Sequence, residues 1–519
     1  KKSEKEIFHI RKVEIRDMGF LMKNYLADRN LYEDGGIDWN DLDISGINLK
    51  AKGLQFKGGI MSGELTELSF SEKSGYEIIS MTGKADVGRG RTIIEDFHII
   101  DPWSDLNLPV YIMSYENIKA FQDFIGKVRI DAEVAQSLLD FKTISYFAPQ
   151  LMGNGLVADI SGNMSGHVDD FTFSGLRFNS KAGGFRGRAS GRISGLPELE
   201  STYLNARLQG FRFTTGGLDD FLAQWMREKG GLDIDRFAKG TEFSMDATAV
   251  GKIDALDIDA SIRSSIGQAI ADVRIDNVIA SDKKTGISGT VNTEDLDIGK
   301  ILNIGLLGPV SLKTALKADL GKEDSSAELR IDTLKVNRLH ANGYDYSNIN
   351  AVGNISSNGF NGTIVCQDPN LNFMLHGAFA LSSKTQNARY KFVTHVGHAD
   401  LHAINIDKRG MSRVNLSASA DFTKINTGDV RGKIDIGDIV LQNSTGRYDI
   451  GDIKLNSYSS DNTYTIRLDS RFANGRYSGS APVLTFVKDL RDITLKKELP
   501  ALFTDSTYVW NGNSYGLDF

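Results

Sequence analysis

Residues 310–336 read VSLKTALKADLGKEDSSAELRIDTLKV, and this stretch decides the fold class. Apolar side chains recur at or near every second position, and lysine or aspartate occupies many of the positions between them. The apolar set is Val310, Leu312, Leu316, Ala318 and Leu320, followed after the GKEDSS turn by Leu329, Ile331, Leu334 and Val336. A period of two residues with one apolar face is typical of a half-buried β-strand.

The same alternation recurs along the chain from Ile44 onward, in runs that end at Gly, Asn, Asp or Ser. Further runs are Phe171 and Phe173; Phe243, Met245, Ala247 and Ala249; Leu371, Phe373 and Leu375; Val414, Leu416, Ala418 and Ala420; Ile434 and Ile436; and Ile466 and Leu468. Because one face of each strand is apolar and the other polar, the strands are predicted to pair antiparallel. The sequence therefore predicts an all-β protein.

Helical spacing is confined to three segments, Asp131–Phe147, Leu218–Lys229 and Asp295–Leu302. The first stops just before Pro149, and the second has acidic residues at its start and a Gly-Gly pair after its end. Three short helices are too few to cover a large sheet.

The organisation predicted from these elements is one continuous array of strands rather than a set of independent domains. Its N-terminal portion is 1–150, with a helix near 131–147. The central portion is 151–300, with a helix near 218–229, and the C-terminal portion is 301–519. No strict long period is present, which argues against propellers and helical solenoids.

Composition excludes several classes of function. The 519 residues carry a net charge of −7, and the charged residues are mixed along the chain without a basic stripe, so nucleic acid is not an expected partner. No run approaches the ~18 apolar residues of a membrane span. The single cysteine, Cys366, is expected to be a small hydrophobic residue that is buried or half-buried.

A many-stranded sheet must hide its apolar side, and the few predicted helices cannot do so. The 53 glycines suit bends and bulges. We therefore expect an elongated, curled antiparallel sheet, with a few short helices and an apolar concave face. An open face of this size predicts an apolar ligand.

Three stretches resemble TamB-type proteins of the AsmA-like superfamily, in particular the Bacteroidetes branch. Leu156–Arg192 (LVADISGNMSGHVDDFTFSGLRFNSKAGGFRGRASGR), which leads into Ile193-Ser194-Gly195-Leu196-Pro197, is similar to the repeated strand units of that family. Asp295–Leu307 (DLDIGKILNIGLL) is similar to its leucine- and glycine-rich helix before a G-x-V-x-L strand, and Val352–Leu381 fits as well. The resemblance runs from about Leu42 to Leu468 and is one of pattern, without a catalytic motif.

The resemblance implies a periplasmic protein with a β-taco, or repeating β-groove, that conducts phospholipid between the inner and outer membranes. Members of the family have an N-terminal inner-membrane helix and a C-terminal domain that engages a BamA-type barrel of the outer membrane. This chain lacks the pattern of both, so it is expected to be a middle segment. Its implied partners are phospholipid acyl chains and, through regions outside the segment, the barrel protein and the inner membrane.

The residues expected to line such a groove are the apolar members of the alternating runs. They are Phe171, Phe173, Phe243, Met245, Leu312, Leu316, Leu329, Ile331, Phe373, Leu375, Leu416, Ala418, Ile434 and Ile436. For any one of them, ordinary sheet core is an equally good interpretation.

No catalytic site or cofactor is predicted. His395, His398 and His402, with Asp400, could supply zinc ligands, but on a strand His395 and His398 are expected to point to opposite faces. Two other functions compete with lipid transport. One is a scaffold or chaperone for insertion of outer-membrane proteins, with client strands pairing at a sheet edge. The other is a β-solenoid adhesin or carbohydrate-active surface protein, against which only four tryptophans and the lack of short repeats argue.

Overall fold

The computed structural model divides the chain into two compact units, unit 1 (Lys1–Thr285) and unit 2 (Gly286–Phe519). The structure describes residues 6–25, 36–148, 155–196, 198, 201–225, 238–277, 284–320, 328–356, 359–380, 388–426, 429–460, 462–492 and 512–518. The boundary between the units does not coincide with the three portions outlined from the sequence. That the array is continuous stays a prediction.

Unit 1 is an antiparallel sheet in which strands pair with their neighbours along the chain, except that the two-residue β4 and then β5 both pair with β3. Its strands are β1 (Glu6–Lys23), β2 (Asp41–Lys57), β3 (Ile60–Glu72), β4 (Glu77–Ile78), β5 (Ser80–Val87), β6 (Arg91–Ile100), β7 (Asp105–Ser114), β8 (Arg129–Asp140), β9 (Val157–His167), β10 (Asp170–Ser180), β11 (Phe185–Ser194), β12 (Tyr203–Thr214), β13 (Glu242–Lys252), β14 (Ala255–Ser264) and β15 (Gly267–Asp276).

Unit 2 follows the same plan, with antiparallel pairing from β17 through to β28. Its strands are β16 (Thr285–Asp297), β17 (Leu307–Leu320), β18 (Glu328–Ala341), β19 (Tyr344–Ser356), β20 (Gly359–Asp368), β21 (Leu371–Phe379), β22 (Ala388–Asp400), β23 (Ser412–Asn426), β24 (Asp429–Asn443), β25 (Gly446–Ser460), β26 (Thr463–Ser470), β27 (Asn474–Gly479) and β28 (Tyr515–Asp518). The prediction of an all-β, antiparallel fold with few helices is confirmed.

Bulges interrupt many of these strands and keep the apolar side chains on one face. In β10 the apolar residues are spaced by two, except that three positions separate Phe173 from Leu176, where the register shifts at Gly175 (φ 60°). The same device occurs at Gly210 (φ 55°) in β12 and at Asp438 (φ 53°) in β24. Each bulge adds one residue, increases the local twist and bends its strand, so the sheets of both units are curled.

The helices are short and lie in the connections between strands. They are a 3₁₀ helix at Ile118–Asp123, α1 (Phe124–Lys127), α2 (Phe141–Phe147), α3 (Thr215–Trp225), α4 (Ile298–Leu302) and α5 (Val483–Asp492). The 3₁₀ helix, α1 and α5 were not predicted from the sequence. The predicted helix at Leu218–Lys229 begins three residues earlier, and residues 226–229 lie outside the described part of the chain.

The prediction of a helix over Asp131–Phe147 is wrong for its first ten residues, which belong to β8. There Ala132 lies opposite both Tyr111 of β7 and Met164 of β9, so pairing on two sides outweighs a helical pattern. The helix begins only after Asp140, whose side chain accepts a hydrogen bond from the backbone N–H of Lys142 at 2.8 Å. Similarly, α4 starts after Asp297 rather than at Asp295, which lies in β16.

Candidate functional site

The apolar face of unit 2 is a set of side chains that the strand register places in continuous rows. One row starts at Leu316 and crosses β18 to β26. Its members, each directly opposite the next, are Leu316, Ile331, Gly353, Gly362, Gly377, Phe392, Ala420, Ile434, Leu455 and Leu468. Since directly paired residues of antiparallel strands lie on the same face, this row spans ten strands, roughly 43 Å at ~4.8 Å per strand.

Two further rows lie beside the first and contain most of the other predicted groove residues. The second consists of Leu334, Ala351, Ile364, Leu375, Thr394, Ala418, Ile436 and Ile453. The third consists of Leu312, Val336, Ile349, Cys366, Phe373, Val396 and Leu416. Leu329, opposite Ala318 and Ile355, lies at the other side of the first row. All ten groove residues predicted in unit 2 therefore share one face.

These ten side chains are neither buried nor fully exposed. Every one of them falls in the half-buried class, as do Phe392 and Leu455 beside them. A central sheet residue under a second layer is ordinarily buried, because the opposing layer covers it. Among the described residues of unit 2, the face is therefore incompletely covered by protein.

The four predicted groove residues of unit 1 also share a face. Phe173 lies opposite Gly191, and this row continues through Ala206 and Ala249 to Ile258. Phe243 and Met245 pair with Phe213 and Phe211 of β12, which stay on that face because of the bulge at Gly210.

Part of the unit 1 face is covered by α3. Phe185, Phe211 and Phe213, each 7% exposed, form a buried cluster. Leu218 and Phe221 of α3 pack on this cluster, and so do Phe243 and Met245 of the predicted groove set. Gly184 and Gly217 make the close approach possible, because a Cβ on Gly184 would lie 2.3 Å from the Cα of Gly217.

A second covered region lies at the strand ends near α2. Ile37, Tyr76 and Ile78 are buried there, and Trp103 and Tyr146 pack against them. Beneath the rings, Thr143 Oγ1 donates to Asp101 at 2.7 Å and also lies 2.7 Å from Ser104 Oγ. Both apolar clusters found among the described residues belong to unit 1.

In unit 2, burial is strongest at one end of the strands, beside the connection from β22 to β23. Ile404 of this connection is 1% exposed. Nearby, the Asp368 carboxylate accepts hydrogen bonds from Tyr344 Oη at 2.7 Å and from the Ser347 and Asn370 backbone N–H groups, both at 2.9 Å. Burial alone would raise the pKa of Asp368, but these hydrogen bonds outweigh it and hold the pKa below the ordinary value.

Glycines form the middle of the first row and shape the face. Gly353 (φ 152°) and Gly377 (φ 137°) adopt a backbone conformation that other residues rarely take, and both lie opposite Gly362. The ring of Phe360 lies over Gly353 and Gly362: its Cζ is 3.0 Å from the position of a Cβ on Gly353 and 2.7 Å from one on Gly362. Glycine kinks covered by a neighbouring aromatic ring are a recognised means of curving a sheet.

The opposite, polar face carries ion pairs between neighbouring strands. Arg192 binds Asp170 through two hydrogen bonds at 2.6 and 2.5 Å, and Arg274 binds Asp257 at 3.0 Å. The hydrogen bond from Arg192 lowers the pKa of Asp170. Such exposed pairs contribute little stability, but they mark the face that water solvates.

Two titratable groups on the apolar faces, one in each unit, have pKa values that burial raises. Cys366, 1% exposed, pairs with Phe373 in the third row, and burial raises the pKa of its thiol. In unit 1, burial likewise raises the pKa of Tyr111, which pairs with Ile94. The expectation that Cys366 is a buried or half-buried hydrophobic residue is confirmed.

The histidines do not follow the predicted arrangement. A bulge at Gly397 places His398 opposite Asn372 and His395 opposite Met374, so both imidazoles lie on the polar face. The prediction of opposite faces is wrong because the extra residue shifts the alternation by one. Within the described residues, no group of three or more His, Cys, Asp or Glu side chains is placed to hold a metal ion.

Several members of the apolar face are not among the groove residues predicted from the sequence, notably Phe178, Phe211, Phe392 and Leu455. Phe178 and Phe211 follow bulges, where strict alternation fails. The sequence does contain a signal for these bulges. In β10, β12 and β24, a Gly or Asp directly precedes the second of two apolar residues that are three positions apart, and in the structure this Gly or Asp is the second residue of the bulge and has a positive φ.

None of the helices in the described ranges is both long and apolar enough to cross a membrane.

Comparisons with known proteins do not assign this chain to a family. No protein-family model matches the chain, and neither a curated protein nor a solved structure gives a significant match.

Proposed function

We propose that this chain is a periplasmic protein of the TamB type, whose apolar face conducts phospholipid between the inner and outer membranes. The observation that carries the proposal is the apolar face of unit 2, which crosses ten strands. Its ten predicted groove residues are half-buried, whereas the smaller Val336, Ala351, Cys366 and Ala420 between them are buried. The resemblance of residues 156–192 and 295–307 to that family supports the same function. No catalytic residue is required by it.

The physical basis is the hydrophobic effect. Moving an acyl chain from a bilayer into water costs ~0.8 kcal/mol per CH₂, or roughly 12 kcal/mol for a chain of sixteen carbons. An apolar sheet face replaces part of the bilayer hydrocarbon, so it lowers this barrier. If the sheet curls with this face inward, head groups remain in water at the open side.

Sliding along the face requires low specificity. Aliphatic and aromatic side chains attract acyl chains by dispersion and hydrophobic contact, without directional bonds that would hold one position. The rows in unit 2 are built from Leu, Ile, Phe, Val, Ala and Gly, with two uncharged exceptions, Thr394 in the second row and Cys366 in the third. A charge on this face would interrupt the path.

The test compares two adjacent residues of β21 that lie on opposite faces. Phe373 belongs to the third row of the apolar face, whereas Met374 is 46% exposed on the polar face. We expect Phe373→Arg to reduce phospholipid transfer between donor and acceptor vesicles at least tenfold, while Met374→Arg leaves it near the wild-type rate. Circular dichroism should show the same β-content for both variants.

Equal transfer by the two variants, with intact β-content, would contradict the proposal. Mass spectrometry of an organic extract of the purified protein provides a second readout, since co-purified phospholipid should be lost in Phe373→Arg alone.

The second candidate is a scaffold or chaperone that assists outer-membrane protein insertion. It needs a sheet edge at which a client strand can pair, and β1 offers such an edge, because its described pairing is with β2 alone. The two functions differ in the bound molecule. Phospholipid on the apolar face favours transport, whereas a peptide strand along β1 favours the chaperone.

A further inference from the structure

Strand β1 is unusually long for a strand with one described partner. It runs for 18 residues, Glu6–Lys23, and pairs along its whole length with β2. Long, exposed edge strands are avoided in natural sheets because they pair with other chains. An 18-residue strand with one described partner is therefore a candidate site for pairing with another chain.

The apolar face extends onto β1 but is less covered there. Phe8, Ile10, Val13, Ile15, Met18, Phe20 and Met22 lie opposite apolar residues of β2. Phe8, Ile10, Met18, Phe20 and Met22 are 39–46% exposed, whereas their partners Phe56, Leu54, Ile47, Ile44 and Leu42 are half-buried. Within the described ranges, β2 has a strand on each side and β1 has one on a single side. One more strand beside β1 would therefore bring its side chains to the burial seen in β2.

The spacing of these residues restricts which strand can pair there. From Phe8 to Phe20 the apolar positions are 8, 10, 13, 15, 18 and 20, so the intervals are 2-3-2-3-2. This series reads the same in both directions. The three-residue intervals contain Arg11-Lys12 and Arg16-Asp17, and Asp17 has the positive φ (51°) of a bulge.

A second copy of β1, running antiparallel about Glu14, meets this requirement at the six apolar positions from Phe8 to Phe20, whereas Met22 would face Glu6. Phe8 would pair with Phe20 of the second copy, Ile10 with Met18, and Val13 with Ile15. On the polar face the two most exposed apolar residues of the strand, Ile7 (68%) and Leu21 (63%), would also pair with each other. β1 and β2 provide a precedent, since Ile10 and Val13 face Leu54 and Ala51 across equal three-residue intervals.

We propose that the chain forms a two-fold symmetric dimer through antiparallel pairing of β1 with β1, centred on Glu14. The pairing extends the apolar face from one copy to the other over 15 residues, roughly 50 Å of strand. It is independent of what the face binds.

Charges on the polar face are compatible with this register. Glu14 would face the Glu14 of the second copy, but each carboxylate is held by its own strand, at 3.1 Å from Lys12 Nζ and 2.6 Å from an Arg16 nitrogen. Lys12 would face Arg16 of the second copy, which is a like-charge pair, and the two carboxylates lie between these four cations. Arg11 would face Asp17, which adds an opposite-charge pair on each side of the axis.

The test uses the complete chain with single cysteines, since the native Cys366 is buried. Residues on the two-fold axis face their own copies, so Glu14→Cys should form a disulfide-linked dimer under mild oxidation, at a Cα separation of about 5 Å. Lys12→Cys should not, because it faces Arg16 and lies four positions from its own copy. Lys50→Cys, opposite Glu14 but one strand further in, is the matched control and should stay unlinked.

Light scattering of the unmodified chain at micromolar concentration should give twice the monomer mass. A monomer mass together with no cross-linking of Glu14→Cys would overturn the proposal. Cross-linking of Lys12→Cys or Lys50→Cys to the same extent as Glu14→Cys would overturn the register. Binding of an added amphipathic peptide to a monomeric chain would overturn the dimer and assign the edge to a client strand.

Discussion

The two units share one strand plan but cover their apolar faces differently. In unit 1, α3 lies on Phe185, Phe211 and Phe213, and residues around α2 bury Tyr76 and Ile78. In unit 2, Ile331, Phe392 and Ile434 stay half-buried across a continuous face. The same alternating sequence thus produces either a closed core or an open face.

The difference comes from the connections and not from the strands. Unit 1 inserts α3, with Leu218 and Phe221, between β12 and β13, and these side chains supply the missing layer. The described connections of unit 2 add burial at the strand ends, as Ile404 does, and beside β27, where Phe486 of α5 packs on Tyr477. A strand pattern alone therefore does not tell core from binding face.

The largest effect that would sharpen this comparison is expected from phenylalanine truncation. Phe211→Ala should destabilise β12 by about 3–4 kcal/mol, because it removes a buried ring and leaves a cavity under α3. Phe373→Ala should lower the free energy of opening of β21 by no more than about 1.5 kcal/mol, because the Phe373 ring is half-exposed in the absence of lipid. Hydrogen exchange of peptides from β12 and β21 gives both free energies of opening. Equal losses would mean that the unit 2 face is as covered as that of unit 1.

A smaller loss of stability is expected from a substitution among Gly353, Gly362 and Gly377, the glycines in the middle of the first row. Gly362→Ala places a methyl group 2.7 Å from the ring of Phe360 and 2.1 Å from the Val352 carbonyl oxygen, so it should cost about 2 kcal/mol in the free energy of unfolding. Gly305→Ala is the control in the same unit, since no atom lies within 4 Å of its added Cβ. Urea titration of both variants measures the difference. If Gly362→Ala left the free energy of unfolding unchanged, the first row would tolerate a side chain at this position.

The smallest effect concerns the closed strand ends of unit 2 and depends on pH. The folded-state pKa of Asp368 lies below the unfolded value, so its contribution to stability is present above pH ~4 and is lost as the pH falls through the folded pKa. We expect the wild type to lose about 1 kcal/mol more than Asp368→Asn between pH 5 and pH 2. Parallel stability curves for the two proteins would show that the Asp368 hydrogen bonds do not stabilise this end.

Fold class and most of the face could be predicted from the sequence, because a period of two residues fixes both strand and face. Phe373, Leu375, Ile434 and Ile436 alternate without interruption and fell on one face as expected. The failures have two physical causes. At Gly397 a bulge shifts the alternation, and at Asp131–Asp140 pairing on both sides overrides a helical pattern. That α3 covers Phe243 and Met245 depends on tertiary packing, which no local pattern encodes.

Whether the apolar face of unit 2 binds acyl chains is tested most directly by photo-crosslinking from two neighbouring positions of β21 in the presence of phospholipid vesicles. Leu375 belongs to the second row of the apolar face, and Met374 beside it points to the polar face. With a photoreactive residue at each position, we expect phospholipid adducts at 375 and none above background at 374. Equal adducts at both positions, or none at 375, would contradict the claim that this face binds acyl chains.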